Sequence, residues 1–192
     1  MKKILIYGAG AHCYYVINLI EKLKKYKIVG IIGKKKEIKK KILNYKVNYT
    51  DEDLEKLKKK TKLIIVSFTG YSNLEKRYKV IQKLSKNFIF PNIISPGAVI
   101  SKYSKIGVGN QIFDNVVINA GSIIQNHCII NSMSLIEHNV SLNNNCHIST
   151  GCLINGNCNI GNHTFIGSGS TLRQNIKIKK NQFIKMGSII KK

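Results

Sequence analysis

The side chains of this 192-residue chain best suited to chemistry are its five histidines and five cysteines. Neutral imidazole ordinarily titrates at about pH 6.5, so it can take a proton from an attacking amine or hydroxyl near neutrality. His138 and His147 lie nine residues apart, with Asn131 before them and Gly156 nine residues after. His12 closes a glycine turn, Gly8-Ala9-Gly10-Ala11-His12, of a kind that cradles phosphate at a helix N-terminus. His127 and His163 read as surface residues. A zinc site built from histidines needs three of them within short reach. His127 and His163 share a column two coils apart in the repeat described next, and no two histidines stack on adjacent coils, so no metal is expected.

The elements that must position these residues are written in the second half. From Ile94 to Ile190 an aliphatic residue recurs every sixth position without a break, as Ile except for Leu142 and Leu172. Four residues after each comes a mostly small or β-branched residue, such as Ser122, Ser134, Val140 or Thr164. No α-helix has period six. Each unit is a short strand plus a corner, and three units close a triangular coil of about 18 residues. Coils stack through parallel ladders about 4.8 Å apart, so the core forms only when several stack. Cys128, Cys146, Cys152 and Cys158 fall in the small slot and read as buried core, not as ligands or disulfides. Cys13 opens a helix and has no evident partner.

On this coil His138 is a corner residue, and His147 points outward from the middle of a strand. Nine residues are half a coil, which separates the two by roughly 15 Å. They cannot share a site within one chain. Packing around a threefold axis would let His138 of one chain approach His147 of another.

Residues 1–90 alternate strand and helix. Strands are predicted at Lys3–Tyr7, Ile28–Ile32, Leu63–Phe68 and Phe88–Phe90, and helices at Cys13–Lys25, from about Asp51 to Lys60, and at Ser72–Lys86. The expected fold is a Rossmann-like α/β domain at 1–91 followed by a parallel β-helix at 92–192. The 32 Lys and Arg against 9 Asp and Glu give a net charge of +23. Almost all of that charge is Lys, with no aromatic-interleaved basic motif, so nucleic acid is not the expected partner. A Lys surface of this kind attracts polyanionic small ligands. No apolar run is long enough to span a membrane, and the short apolar N-terminus runs straight into the glycine turn, so a cytoplasmic protein is expected.

A glycine turn after strand one, a small α/β domain and a hexapeptide β-helix together resemble the NeuD/PglD-type sugar acetyltransferases over nearly the whole chain. The segment Asn131-Ser-Met-Ser-Leu-Ile-Glu-His138 looks like the family's N-x-x-S-x-I-E-H. The resemblance implies a left-handed coil and a homotrimer with active sites between subunits. It also implies acetyl-CoA as co-substrate and His138 as general base, with Asn131 beside it. His147, Gly156 and Gly167 would then contact the coenzyme. Gly8, Gly10, His12, Gly70 and Arg77 would bind the sugar substrate. The implied activity is N-acetylation of a nucleotide-linked 4-amino-4,6-dideoxy sugar. Alternatives are O-acetylation of a sialic acid or, in a different class, a non-catalytic trimeric scaffold. A fixed backbone N–H at Gly156 suits the negative charge that develops on a thioester oxygen.

The chain departs from the family pattern at several points. Ala11 replaces a glycine. Gly33-Lys34 stands where the family commonly has an Asp pair that reads uracil. Asn139 follows His138 in place of a Glu that can orient the imidazole, and the usual G-V-P-A-K tail is absent.

Overall fold

The computed structural model describes residues 1–70 and 74–191. They group into two compact units, Met1–Thr69 with Lys79–Pro91, and Gly70–Tyr78 with Asn92–Lys192.

In the first unit the elements run β1 (Lys2–Tyr7), α1 (His12–Leu23), β2 (Tyr26–Ile32), β3 (Lys41–Ile42), β4 (Tyr45–Tyr49), α2 (Leu54–Leu57) and β5 (Ile64–Val66), followed by α3 (Leu74–Ser85). The sheet order is β3-β4-β2-β1-β5. All pairings are parallel except that of β3 with β4. The apolar runs of β1 and β5 read as continuous because both faces of the sheet are covered. Cys13, Val16, Ile17, Leu19 and Ile20 form the buried stripe of α1. Leu5, Ile32, Ile64 and Val66 pack with Ile81, Leu84 and Phe88.

Three predicted elements differ. The β3–β4 hairpin was not expected, since its Lys-rich strands lack an apolar run. The helix predicted from Asp51 to Lys60 is a 3-10 turn at Asp51–Asp53 and the single turn α2. Thr50 starts it, with its N–H donating to Asp53 at 2.9 Å. Four Lys within Lys56–Lys60 then oppose its continuation. Phe88–Phe90 is no strand. Only an isolated bridge joins Leu63 to Ile89, while both phenylalanines turn into the core. The predicted start of α3 at Ser72 lies outside the described residues.

In the second unit seventeen two-residue strands among the described residues, from Ile93–Ile94 to Ile189–Ile190, form three parallel sheets. This is the expected left-handed parallel β-helix. We call the sheet that begins at Ile93 face one, that at Val99 face two, and that at Lys105 face three. The register steps by one coil, as in Val117↔Leu135↔Leu153 on face two. The aliphatic sixth residues fill the interior with the small slots between them.

Two backbone devices make the corners. Every sixth residue from Gly109 to Gly187 has a left-handed φ of 55–75°. Gly and Asn dominate this position because they bear that conformation at least cost. The small slot is also more than small. Ser122, Ser134, Thr164 and Ser170 donate to the backbone oxygen fifteen residues on, at 2.6–3.0 Å. Cys128, Cys146, Cys152 and Cys158 make the same bond through their thiols at 3.1–3.2 Å.

Residues 74–78 belong with the coil because they bind the corner between faces three and one. Arg77 donates to the His127 carbonyl at 2.8 Å and to the side-chain oxygen of Asn145. The Asn145 amide donates to the Leu74 carbonyl at 2.8 Å, and Tyr78 lies 4.8 Å from the His163 ring. His127 and His163 therefore belong to this packed corner, where the sequence suggested surface.

Candidate active site

Two candidate regions emerge, one in each unit. In the α/β unit β1 ends at Tyr7 and the chain turns through Gly8, whose φ of +113° excludes most side chains. The Ser67 hydroxyl fixes the turn by donating to the Gly8 carbonyl at 2.6 Å. The Gly10 side faces open space. Beside the turn is a cavity of about 570 Å³ lined by Tyr7, Gly8, Gly10, Gly33, Asp51 and Phe68 among others. Lys34 and Lys35 also line it, and the Lys40 ammonium donates to the Ala9 carbonyl at 2.8 Å. The Tyr7 hydroxyl donates to Asp51 at 2.7 Å, and burial, aided by that carboxylate, pushes its pKa well up. The lining sets Lys34 and Lys35 among the carboxylates of Glu37, Asp51 and Glu52, with Lys35 paired to Glu52 at 2.6 Å, beside the apolar Ile32, Phe68 and Val80.

Of the five residues expected to bind the sugar substrate, Gly8 and Gly10 line this cavity. His12 opens α1, with its ring stacked 6.3 Å from that of Tyr15. Gly70 groups with the coil, at a φ of +59°. Arg77 is 1% exposed and clamps the corner described above. Burial lowers its pKa to about 10. A side chain held there acts as a structural cation, spent on the His127 carbonyl and Asn145. The spacing of Arg77 carried no hint of this, since its partners lie 50 and 68 residues on.

The second region is the corner between faces two and three. His138 and Gly156 are one coil apart and lie against each other. A Cβ on Gly156 would stand 2.6 Å from both Cε1 and Nε2 of the imidazole, so glycine leaves room for the ring where it stands. The ladder uses the N–H groups on either side of Gly156, with Asn155 donating to Leu172 and Asn157 to the His138 carbonyl. An open cleft of about 300 Å³ is lined by Glu137, His138, Asn155, Gly156, Arg173 and Gln174. Sequence reasoning missed Asn155, Arg173 and Gln174. The signal that finds them is the eighteen-residue step from Glu137 and His138.

The imidazole is exposed, with the Asn139 side-chain amide 3.3 Å from Nδ1. Glu137 does not orient the ring. Its carboxylate accepts from the His138 backbone N–H at 3.2 Å and from the Asn119 amide at 3.1 Å. Asn131 and Gly167 lie two coils apart in one column at another corner, that between faces one and two. Glycine at 167 is required by stacking, because a Cβ there would run into the Met186 backbone.

His147 is on face one, opposite the His138 corner, so the two do share no site within the chain. It was expected to point out toward a neighbour's His138. It does stand on the outer side of the strand, yet it is only 4% exposed and lies edge-on to Phe165 at 5.0 Å. Its row on face one, Ile129, His147 and Phe165, is a packed stripe.

Residues 3–84 match the family model described as the PglD N-terminal domain. No curated protein sequence matches the chain. Among solved structures the chain is similar to the acetyltransferase domain of PglB from Neisseria gonorrhoeae FA1090, at 26% identity and a TM-score of 0.89. That match covers 100% of this chain and 92% of the other. The same domain solved with acetyl coenzyme A matches at 26% identity and a TM-score of 0.87, covering 98% and 92%. PerB from Caulobacter crescentus, in complex with CoA and GDP-perosamine, matches in fold at 24% identity and a TM-score of 0.91, covering 100% and 90%. Residues 3–84 carry a PglD N-terminal domain, and the chain as a whole, with a hexapeptide coil that sets His138 against Gly156, is similar to the sugar acetyltransferases of the NeuD/PglD type.

Proposed function

We propose that the protein transfers the acetyl group of acetyl-CoA to the amine of a nucleotide-linked 4-amino-4,6-dideoxy sugar. The observation that carries the reading is the apposition of the His138 imidazole to Gly156 in an open cleft. The acetyl-CoA complex of the PglB domain supports the donor. The cavity beside Gly8 and Gly10, with ammonium groups around it, suits a nucleotide diphosphate.

In this mechanism the neutral amine attacks the thioester carbonyl carbon, a C–N bond forms, and the C–S bond breaks. His138 Nε2 takes the amine proton and returns it to the departing thiolate. The Gly156 N–H receives the charge on the carbonyl oxygen. For Nε2 to accept a proton, Nδ1 must carry the other, and Asn139 then turns its amide oxygen to it. His147 supports face one in this reading, and the donor contact falls to Gly156.

The protein is further read as a homotrimer. The outer row of face two is an apolar stripe, with Val99 64%, Leu153 43% and Ile189 67% exposed in one chain. Face two lies between the corner of Asn131 and Gly167 and the corner of His138 and Gly156. Packing it on a neighbour would enclose both corners, bringing Asn131 of one chain toward His138 of another. Among the described residues no helix is long and apolar enough to cross a membrane, and a cytoplasmic location is part of the same proposal.

The test is thiol release from acetyl-CoA against a panel of sugar nucleotides and free sialic acid, with His138→Ala beside wild type. The expected loss is about a hundredfold or more in kcat on the best acceptor. Full activity of His138→Ala overturns the mechanism. Preference for free sialic acid overturns the acceptor, and no thiol release with any acceptor leaves a scaffold.

A further inference from the structure

The α/β unit is polarised along its strands. Glu37, Asp51 and Glu52 line the cavity at the carboxyl ends of β1 and β2. The other acids of the unit are engaged elsewhere. Asp53 accepts from the Thr50 N–H at 2.9 Å, Glu55 pairs with Lys58 at 2.5 Å, and Glu21 accepts from the Tyr45 hydroxyl at 3.0 Å. The amino ends of the strands carry charge of one sign only. Residues 1–20, 22–36 and 56–74 contain no Asp or Glu.

β2, β1 and β5 are neighbours in the sheet, and a lysine stands at the foot of each. Lys3 is in register with Lys27. Lys62 is two residues before Ile64, which is in register with Leu5, so Lys62 is level with Lys3. The three therefore form a row across strands about 4.8 Å apart. All three are exposed, and none of the ion pairs among the described residues uses them. Lys2 and Lys25 adjoin the row, the Lys2 N–H donating to the Lys25 carbonyl at 3.0 Å.

Ordinary structural uses of lysine do not account for this row. Lys24 and Lys86 follow the last residues of α1 and α3, where cations complement the helix dipole. Lys3 and Lys27 are on strands. Lysine also guards open sheet edges, but β1 and β2 are interior strands. Like charges side by side on neighbouring strands oppose folding. No acid of the unit relieves them, so the relieving anion is outside the chain.

The same pole exposes apolar surface. Ile89, whose N–H donates to the Lys62 carbonyl at 2.7 Å, is 62% exposed, and Met1, beside Lys2, is 82% exposed. Ammonium groups on aliphatic stems, set around exposed apolar side chains, match the interface of a bilayer. The ammonium groups meet lipid phosphates while the stems and Ile89 lie against the acyl boundary. No arginine and no exposed aromatic ring lies among these residues to fork a phosphate or stack a base, which disfavours nucleic acid. We propose that this lysine pole docks on an anionic lipid bilayer, with the Gly8 cavity at the opposite ends of the strands facing away from it.

The test is co-sedimentation with vesicles of phosphatidylcholine alone and of phosphatidylcholine with an equal part of phosphatidylglycerol. The proteins are wild type, a pole variant (Lys3→Gln, Lys27→Gln, Lys62→Gln) and a control with the same charge loss on the coil (Lys177→Gln, Lys179→Gln, Lys180→Gln). Wild type is expected to bind the mixed vesicles and not the neutral ones. It should come off at about 1 M salt, where screening reaches about 3 Å. The pole variant should bind about a hundredfold more weakly, while the control binds as wild type does. The melting temperature of the pole variant should hold or rise, because repulsion within the row is removed. Equal losses in the two variants would make net charge the cause and overturn the docking surface. So would binding of wild type to neutral vesicles, or to neither kind. Tighter binding of wild type to single-stranded RNA or to polyglutamate than to the mixed vesicles, lost in the pole variant, assigns the pole to that partner and overturns the bilayer.

Discussion

At the scale of single residues, the tightest constraint is at Gly156. Any side chain there occupies the space of the His138 ring. Gly156→Ala is expected to displace the imidazole and lower kcat by about a hundredfold, on the scale of losing the base itself. Melting temperature should move far less than activity, because the ladder N–H groups on either side are untouched. An active Gly156→Ala enzyme would show that His138 works elsewhere. Asn139 is a gentler case. It holds Nδ1 in place of a carboxylate, so Asn139→Ala should lower kcat by about tenfold with little change in either KM. A wild-type rate in that variant would leave the ring oriented by some other group. The cysteines invite a third prediction. The Cys152 thiol donates to the Gly167 carbonyl as serine hydroxyls do in equivalent slots. Cys152→Ser should therefore fold with nearly unchanged stability, whereas Cys152→Ala should lose about 1–2 kcal/mol in denaturant unfolding. Equal losses in the two would mean that only volume matters in the slot.

At the scale of elements, the coil was legible because each aliphatic residue and each small slot obeys one period, and a single slip would bury the wrong face. The site at its second corner was legible in part. His138 and Gly156 are eighteen residues apart, so the repeat places them together, while Asn155 and Arg173 follow from the same step applied to Glu137. The α/β half was less legible. The Lys41–Tyr49 hairpin hides in polar sequence, and the apolar Phe88–Phe90 serves the core without joining the sheet. Least legible was the docking of residues 74–78, which decides the environments of Arg77, His127 and His163. That docking has a pH consequence. Burial, with the Arg77 charge second, lowers the His127 pKa to about 4, and burial lowers that of His163. Below about pH 6.5 the unfolded chain takes up protons that the folded corner refuses, so stability falls with pH until about 4. His127→Asn puts into the corner the residue that Asn145 and Asn181 already supply at that left-handed position. The variant's melting temperature should fall less steeply between pH 6.5 and 4 than that of wild type, and a parallel decline would exclude His127 as a source of the acid lability.

At the scale of the whole molecule, surface chemistry divides the labour. Charge is absent from the middle coils, apart from Asp114 and Glu137, and the part of the face-two row that crosses them, Val117, Leu135 and Leu153, is apolar, with Leu153 43% exposed. Lysine in such a row would carry its hydration into a dry contact, and the sequence avoids it there while using it freely elsewhere. The proposed trimer follows from that avoidance as much as from the apolar residues themselves. Replacing Leu135 and Leu153 by Glu sets like charges directly opposite each other on adjacent strands of the contact face. Two buried carboxylates per chain should outweigh the contact, so sedimentation should show a monomer with its coil still folded by circular dichroism. Activity is the discriminating measurement. If the base and the residues around it are completed by a neighbour, the monomer should lose about a hundredfold or more in kcat/KM even though His138 and Gly156 remain apposed within each chain. A monomer as active as wild type would confine the chemistry to one corner of one chain, and would assign the apolar row of face two to stability alone.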